Sequence, residues 1–271
     1  MSGRVREALE RVPPEATGAV VIDLGRLRAN FRTLRAMASP SECAAVVKAD
    51  AYGLGVAHVL PALLAEGARG FFVATVAEGR EVRRLAPSAT IYVLGGLLPG
   101  TAPAVASSEL RPVLNSLAEL EEWDGYCQTT GRALPAALQI DTGLNRLGMP
   151  LTEAQLAATR KPAFEIALVM SPLACADERG HAMSRAQLKA FERIARHFPG
   201  VPRAIANSAG AIVSPPSRFE LFRPGIALYG CRTIAGEPVA HQRVVAVMAR
   251  VLQTRSIAPG DSIGYGATET V

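Results

Sequence analysis

Eight strand-like apolar runs, most of them separated by helix-like segments, constrain this chain more than any other feature. The runs are Ala44–Val47, Gly70–Ala74, Thr90–Leu94, Arg111–Leu114, Ala136–Ile140, Glu165–Val169, Arg203–Ala206 and Leu221–Phe222. Between them the apolar residues recur at helical spacing, most clearly at Val56–Glu66, Ala77–Leu85, Ser116–Asp124, Glu153–Thr159 and Ser184–His197. Strands that alternate with helices pair in parallel, because a parallel neighbour is reached only through a crossover long enough to hold a helix. Eight is the number that closes such a sheet on itself, so the expected fold is α/β, a (β/α)8 TIM barrel. An open doubly wound sheet is the alternative, although no G-x-G-x-x-G follows the first strand. At 271 residues and 49% hydrophobic, the chain can bury a core of that size.

Two segments stand outside the alternation. Residues 18–23 read as a short strand, with Asp23 placed to cap a helix whose Leu24, Leu27, Phe31 and Leu34 share a face. From residue 237 branched apolar residues alternate with polar ones around the turn Pro259-Gly260-Asp261, the pattern of antiparallel strands. The expected organisation is a barrel over residues 1–236, including the strand at 18–23, followed by the start of a C-terminal antiparallel β domain over 237–271. That second segment is too short to build a core of its own.

Composition removes several function classes. The net charge of +5 is spread among acids and apolar residues, and aromatics are only 5%, so no nucleic-acid partner is expected. The N-terminus lacks an apolar leader core and no run approaches the ~18 apolar residues of a membrane span, so a cytoplasmic protein without membrane partners is expected. Cys43, Cys127, Cys175 and Cys231 lie far apart without metal spacing and read as reduced thiols. His58, His181, His197 and His241 fall at helix ends or strand edges, and no metal site is expected.

The chemistry concentrates in AAVVKADAYGLG, residues 44–55. A lysine directly after an apolar strand is costly to bury, and only three lysines occur against twenty-six arginines. Lys48 is either a strand-end lysine reaching water along its own stem, or a desolvated amine able to attack a carbonyl. Tyr52 and the Gly53-x-Gly55 turn follow, offering a hydroxyl and backbone N–H groups suited to a phosphate. Lysine, phosphate donors and glycine turn together suggest pyridoxal phosphate. In a barrel the chemistry sits at the C-terminal strand ends, with phosphate often held after strands seven and eight. Lys48 ends strand one, Asp141 and the loop to Arg146 follow strand five, and Ser171 follows strand six. Asn207 and Ser208 follow strand seven, and Arg223, Gly225 and Ile226 lie at strand eight. Singly, Asn207 or Ser208 reads equally as a helix cap, Arg223 as a surface charge and Gly225 as a turn.

Taken together, these residues resemble the bacterial alanine racemases, fold-type III pyridoxal phosphate enzymes with a (β/α)8 barrel followed by a β domain. VVKADAYGLG resembles that family's cofactor-lysine signature. IDTGLNRLG (140–148), ACADE (174–178), ANSAG (206–210), RPGIALYG (223–230) and IGYGAT (263–268) follow in the family's order. The resemblance implies racemisation of alanine, a small-molecule substrate, to supply D-alanine for cell-wall precursors. It implies that Lys48 holds the cofactor and serves one face of the substrate Cα, while Tyr265 serves the other. In the family that tyrosine reaches into the partner subunit's site, so a homodimer is implied as well. Arg146 would contact the substrate carboxylate and the cofactor's phenolic oxygen; Tyr52, Ser208, Gly225 and Ile226 would hold the phosphate, with Asn207 beside them; Arg223 would face the pyridine nitrogen.

Three departures from the family pattern stand out. Gln139 replaces a commonly carbamylated lysine, which leaves Arg146 to be positioned by an amide or an anion. Pro172 replaces a histidine that links the pyridine-side arginine to the catalytic tyrosine. The chain stops at Val271, six residues past Tyr265 and well short of a typical member, so a C-terminally shortened and impaired enzyme is expected. The alternatives are a racemase of broader amino-acid specificity and a non-catalytic pyridoxal phosphate-binding barrel.

Overall fold

The computed structural model describes residue 7, residues 10–238 and residues 240–271. They form two compact units, one spanning Leu24–Val244 and a smaller one in which residues up to Asp23 accompany Val245–Val271. The first strand, β1 (Gly18–Ile22), belongs to the smaller unit. The larger unit then runs α1 (Leu24–Ala38), β2 (Glu42–Cys43), β3 (Ala45–Val46), α2 (Val56–Ala65), β4 (Gly70–Val73), α3 (Val76–Leu85), β5 (Thr90–Val93) and α4 (Ala102–Ser107). It continues through β6 (Arg111–Leu114), α5 (Leu117–Thr130), β7 (Pro135–Gln139), α6 (Leu151–Thr159), β8 (Glu165–Met170), α7 (Ala182–Ala195), β9 (Arg203–Ala204), α8 (Ser208–Val213) and β10 (Leu221–Phe222).

Strands β3 to β9 form a seven-stranded parallel sheet in chain order. The expected eighth strand closes it. On one side β10 pairs in parallel with β2, and Ala44 N and Val46 N donate to the carbonyls of Phe222 and Pro224. On the other, Arg223 N donates to Ala206 O and a bridge joins Asn207 to Arg223. Residues 42–46 are thus one barrel strand whose two faces of hydrogen bonding serve different neighbours. Each of the eight strands sends a buried side chain inward: Ala44, Phe72, Tyr92, Val113, Ala137, Leu168, Ala204 and Leu221. Within this interior the Phe72 and Tyr92 rings stack with centroids 4.8 Å apart, among smaller alanine and branched side chains.

Local sequence explains most of the helices. Thr75 and Ser116 cap α3 and α5, accepting from the N–H groups of Glu78 and Glu119 three residues on. The α5 helix runs past the expected Asp124 to Thr130 and stops at Gly131 in a left-handed cap at φ 64°. Neither α4 nor α8 is anticipated by periodicity, since six small residues carry almost none.

The N-terminal strand is placed differently from expectation. A closed barrel has no free edge to accept β1, and β1 pairs antiparallel with β11 (Val245–Ala249), Gly18 opposite Ala249 and Ile22 opposite Val245. The boundary between units therefore falls after Val244 rather than at 236, with residues 18–23 on the β side. A second antiparallel pair, β12 (Ser262–Ile263) with β13 (Glu269–Thr270), follows the turn at 259–261. The four cysteines are free thiols.

If the barrel interior is packed as described, Phe72→Ala leaves a hole between Tyr92 and the strands around it. The expected loss is about 3–5 kcal/mol of unfolding free energy in a urea melt. A loss below about 1 kcal/mol would show that the interior is not close-packed there.

Candidate active site

A cavity of about 730 Å³ opens at the C-terminal end of the barrel strands, lined among others by Lys48, Tyr52, Arg146, Asn207, Ser208, Arg223, Gly225 and Ile226. These eight residues therefore meet in one place, while Asp141 and Ser171, also at strand ends, are not among the lining residues. Gln139 and Pro172 line it too. Tyr265 is not among the lining residues; it belongs to the smaller unit, where it opens the 3-10 turn Tyr265–Ala267 with its side chain exposed.

Lys48 is half-buried at the end of β3. The next four residues, Ala49 to Tyr52, all adopt left-handed backbone angles, φ 51–57° and ψ 36–53°. For L-residues this costs roughly 1–2 kcal/mol each, so the turn must be held from outside. Glu78, in the first turn of α3, accepts from Ala49 N at 3.0 Å and from Ala74 N at 2.7 Å. Asp50 accepts from Val56 N at 2.6 Å, and Gly55 N returns to Asp50 O at 3.0 Å. Gly53 and Gly55, at φ 82° and 83°, complete the reversal. Tyr52 is thereby brought into the cavity wall, its ring 5.0 Å from that of Tyr229. Burial, and secondly the Cys231 thiol, hold its hydroxyl above the usual phenol range. Gly225 is required by this approach, since a Cβ there would lie 2.3 Å from the Tyr52 hydroxyl.

Ser208 Oγ accepts from Gly225 N at 3.0 Å and Ala227 N at 3.2 Å. Both lone pairs are occupied, which leaves the hydroxyl proton to be donated. The Gly225 N–H is therefore engaged by Ser208, while Ile226 N–H has no partner among the described residues. Asn207 acts as the helix cap that its sequence allows, accepting from Gly210 N at 2.9 Å.

Arg223 is buried, with its guanidinium 5.7 Å from the Phe72 ring centre and Nη2 donating to Ser171 O at 2.9 Å. Burial pushes its pKa down to about 10, which leaves it protonated at neutral pH. Its Nε is buried without an acceptor among the described residues. A buried donor left unpaired costs about 1–3 kcal/mol, which an acceptor brought against this atom would relieve.

Arg146 sits exposed on a loop wound around Asp141, whose Oδ1 accepts from the N–H groups of Gly143, Leu144 and Asn145 at 2.8–3.2 Å. The Gln139 amide does not position Arg146; it donates to Asn115 Oδ1 at 2.9 Å. Arg146 itself makes no hydrogen bond or ion pair among the described residues. The left-handed turn and the hold of Glu78 on it are missed by sequence reasoning, because Ala-Asp-Ala-Tyr carries no positive-φ signature.

Together the cavity wall offers an amine, a buried guanidinium, and the hydroxyl and backbone donors of Tyr52, Ser208 and Ile226. Residues 22–233 match the family described as alanine racemase, N-terminal domain. The chain belongs to the alanine racemase family. It is 45% identical over 253 residues to the alanine racemase of Methylobacterium nodulans, an alignment spanning 93% of this chain and 68% of that relative. It is also 45% identical over 260 residues to a catabolic alanine racemase of Mesorhizobium japonicum, spanning 94% and 68%. The crystal structure of alanine racemase from Bartonella henselae with covalently bound pyridoxal phosphate superposes with a TM-score of 0.88 at 37% identity, covering 94% of this chain and 72% of that one.

Removing the Glu78 carboxylate tests how the turn after Lys48 is held. Glu78→Ala is expected to lower stability by about 1–3 kcal/mol and to speed amide hydrogen exchange at Ala49 and Ala74. Unchanged exchange at both would mean that the left-handed turn supports itself.

Proposed function

We propose that this chain is a pyridoxal phosphate-dependent alanine racemase, interconverting L- and D-alanine. One observation carries the reading: a single cavity is lined by Lys48, by Tyr52, Ser208 and Ile226, and by buried Arg223, whose Nε–H has no acceptor among the described residues. Pyridoxal phosphate, when bound, supplies the electron sink that acidifies the substrate Cα–H. Lys48 would hold it covalently. Tyr52 and Ser208 would donate their hydroxyl protons to its phosphate, Ile226 would donate its N–H, and Gly225 would contribute by lacking a Cβ. Arg223 would donate to the ring nitrogen. An arginine does not surrender its proton, so that nitrogen would stay unprotonated and the sink partial, which would disfavour transamination and decarboxylation.

Racemisation needs a proton-transfer group on each face of a planar Cα. Lys48 serves one face and Tyr265 the other. Arg146, with no hydrogen-bond or ion-pair partner among the described residues, binds the substrate carboxylate. The protein works as a cytoplasmic homodimer supplying D-alanine for cell-wall precursors, a reading supported by the resemblance of its motifs to the bacterial family.

Borohydride treatment of the protein with pyridoxal phosphate is expected to fix the cofactor on Lys48, read by peptide mass, and Lys48→Ala to abolish the label. Labelling of Lys161 or Lys189 instead would overturn the site. Alanine α-proton exchange in D₂O, with loss of optical rotation, tests turnover; capture of the cofactor without exchange would favour a non-catalytic barrel. Tyr265→Phe should slow exchange by about a hundredfold or more, and a rate equal to that of the unmodified protein would remove Tyr265 from the mechanism.

A further inference from the structure

Gln187 lies on α7 and does not line the cavity, yet its side chain is wholly buried and three of its four hydrogen-bonding positions are used. Its Oε1 accepts from Ala174 N at 2.8 Å, and its Nε2 donates to Pro172 O at 2.9 Å and to Thr142 Oγ1 at 3.3 Å. Thr142 Oγ1 lies 2.8 Å from Ser171 Oγ, and the Ser171 carbonyl accepts from Arg223 Nη2 at 2.9 Å. Thr142 belongs to the loop that Asp141 winds and that carries Arg146. One amide therefore joins the loop of Arg146 to the segment after β8, and a further residue joins that segment to the guanidinium of Arg223.

The link matters because the side chain of Pro172, in the cavity wall, has no polar atom to make one. Only its carbonyl can be held, and Gln187 holds it. The start of α7 is seated against the same loop, since a Cβ on Gly143 would meet Met183 Cε.

We propose that Gln187 is a positioning residue that fixes the Arg146 loop relative to Arg223. The inference rests on the reading above, in which these two arginines face the substrate carboxylate and the cofactor ring. A misplacement of about 1 Å between such groups can cost a hundredfold in rate, so a buried amide outside the cavity has leverage over both.

The test compares the full chain with Gln187→Met, which keeps the length of the side chain and removes its hydrogen bonds. Three quantities are read: hydrogen exchange of residues 141–148 and 171–174, the dissociation constant for pyridoxal phosphate, and the alanine KM set against kcat. The expected result is faster exchange in both segments, cofactor binding about tenfold weaker, as for loss of about one buried hydrogen bond, and a rise in KM larger than the fall in kcat. Thr142→Val should move the same quantities in the same direction. The double variant should lose less than the sum of the two single variants, because both remove the Gln187–Thr142 hydrogen bond, while each also removes contacts of its own. Exchange and cofactor affinity equal to the unmodified chain, or fully additive effects in the double variant, would overturn the proposal. If Gln187→Met does not fold, Thr142→Val decides alone, with unchanged exchange at 171–174 the refuting result. An unmodified chain that captures no pyridoxal phosphate would defeat the proposed function, while the exchange measurements would still decide whether Gln187 holds the two loops together.

Discussion

Closure of the sheet fixes where the side chains around the cavity can lie. Residues 42–46 bond to β10 on one side and to β4 on the other, so the parallel strands end on a common rim and deliver their C-terminal residues to it. Lys48, Asp141, Ser171, Asn207 and Arg223 are separated by up to 175 residues of sequence, yet each lies within three residues of the end of a strand. Without the hydrogen bonds around Phe222 and Arg223, Asn207 and Ser208 would lie at the opposite edge of an open sheet from Lys48.

The rim is then tied by a repeated device. Glu78, on α3, joins the loop after its own strand at Ala74 to the loop after the preceding strand at Ala49. Glu119, on α5, does the same for Asn115 and Leu97. Gln187, on α7, does it for Ala174 and Thr142. In each case a carboxylate or carboxamide from the crossover helix bonds to two successive loops. Backbone groups past a strand's end lack ladder partners, and buried ones must find acceptors or donors elsewhere. These side chains meet that need and restrict loop motion at the same time. Desolvation raises the Glu119 pKa, against the lowering effect of its backbone donors, which shows that a carboxylate in this role is partly withdrawn from water.

The sequence made the barrel readable because its signals are local. Strand runs, capping residues and the order of the motifs each lie within a short window, and Lys48, Tyr52, Arg146, Asn207, Ser208, Arg223, Gly225 and Ile226 line one cavity. What stayed hidden depends on contacts between distant segments. The partner of β1 lies more than 220 residues away, and a chain read in order assigns it to the nearer unit. The Gln139 amide faces Asn115 rather than Arg146, a choice set by barrel register. Gln187 reads as an ordinary helix residue until the loops it holds are seen. The turn after Lys48 is hidden for another reason: its conformation is imposed by Glu78, Asp50 and the following glycines, against the preference of the residues that adopt it.

That turn has a stereochemical consequence. Four successive residues wind with the hand opposite to that of an ordinary helix, so their basin is the relaxed one for amino acids of inverted chirality. Installed by chemical synthesis, D-alanine at positions 49 and 51 would sit without the Cβ–carbonyl conflict that the L-residues carry. β-Branched L-residues at the same positions would deepen that conflict. The segment that carries the cofactor-lysine signature is, in its backbone, a short piece of mirror-image protein.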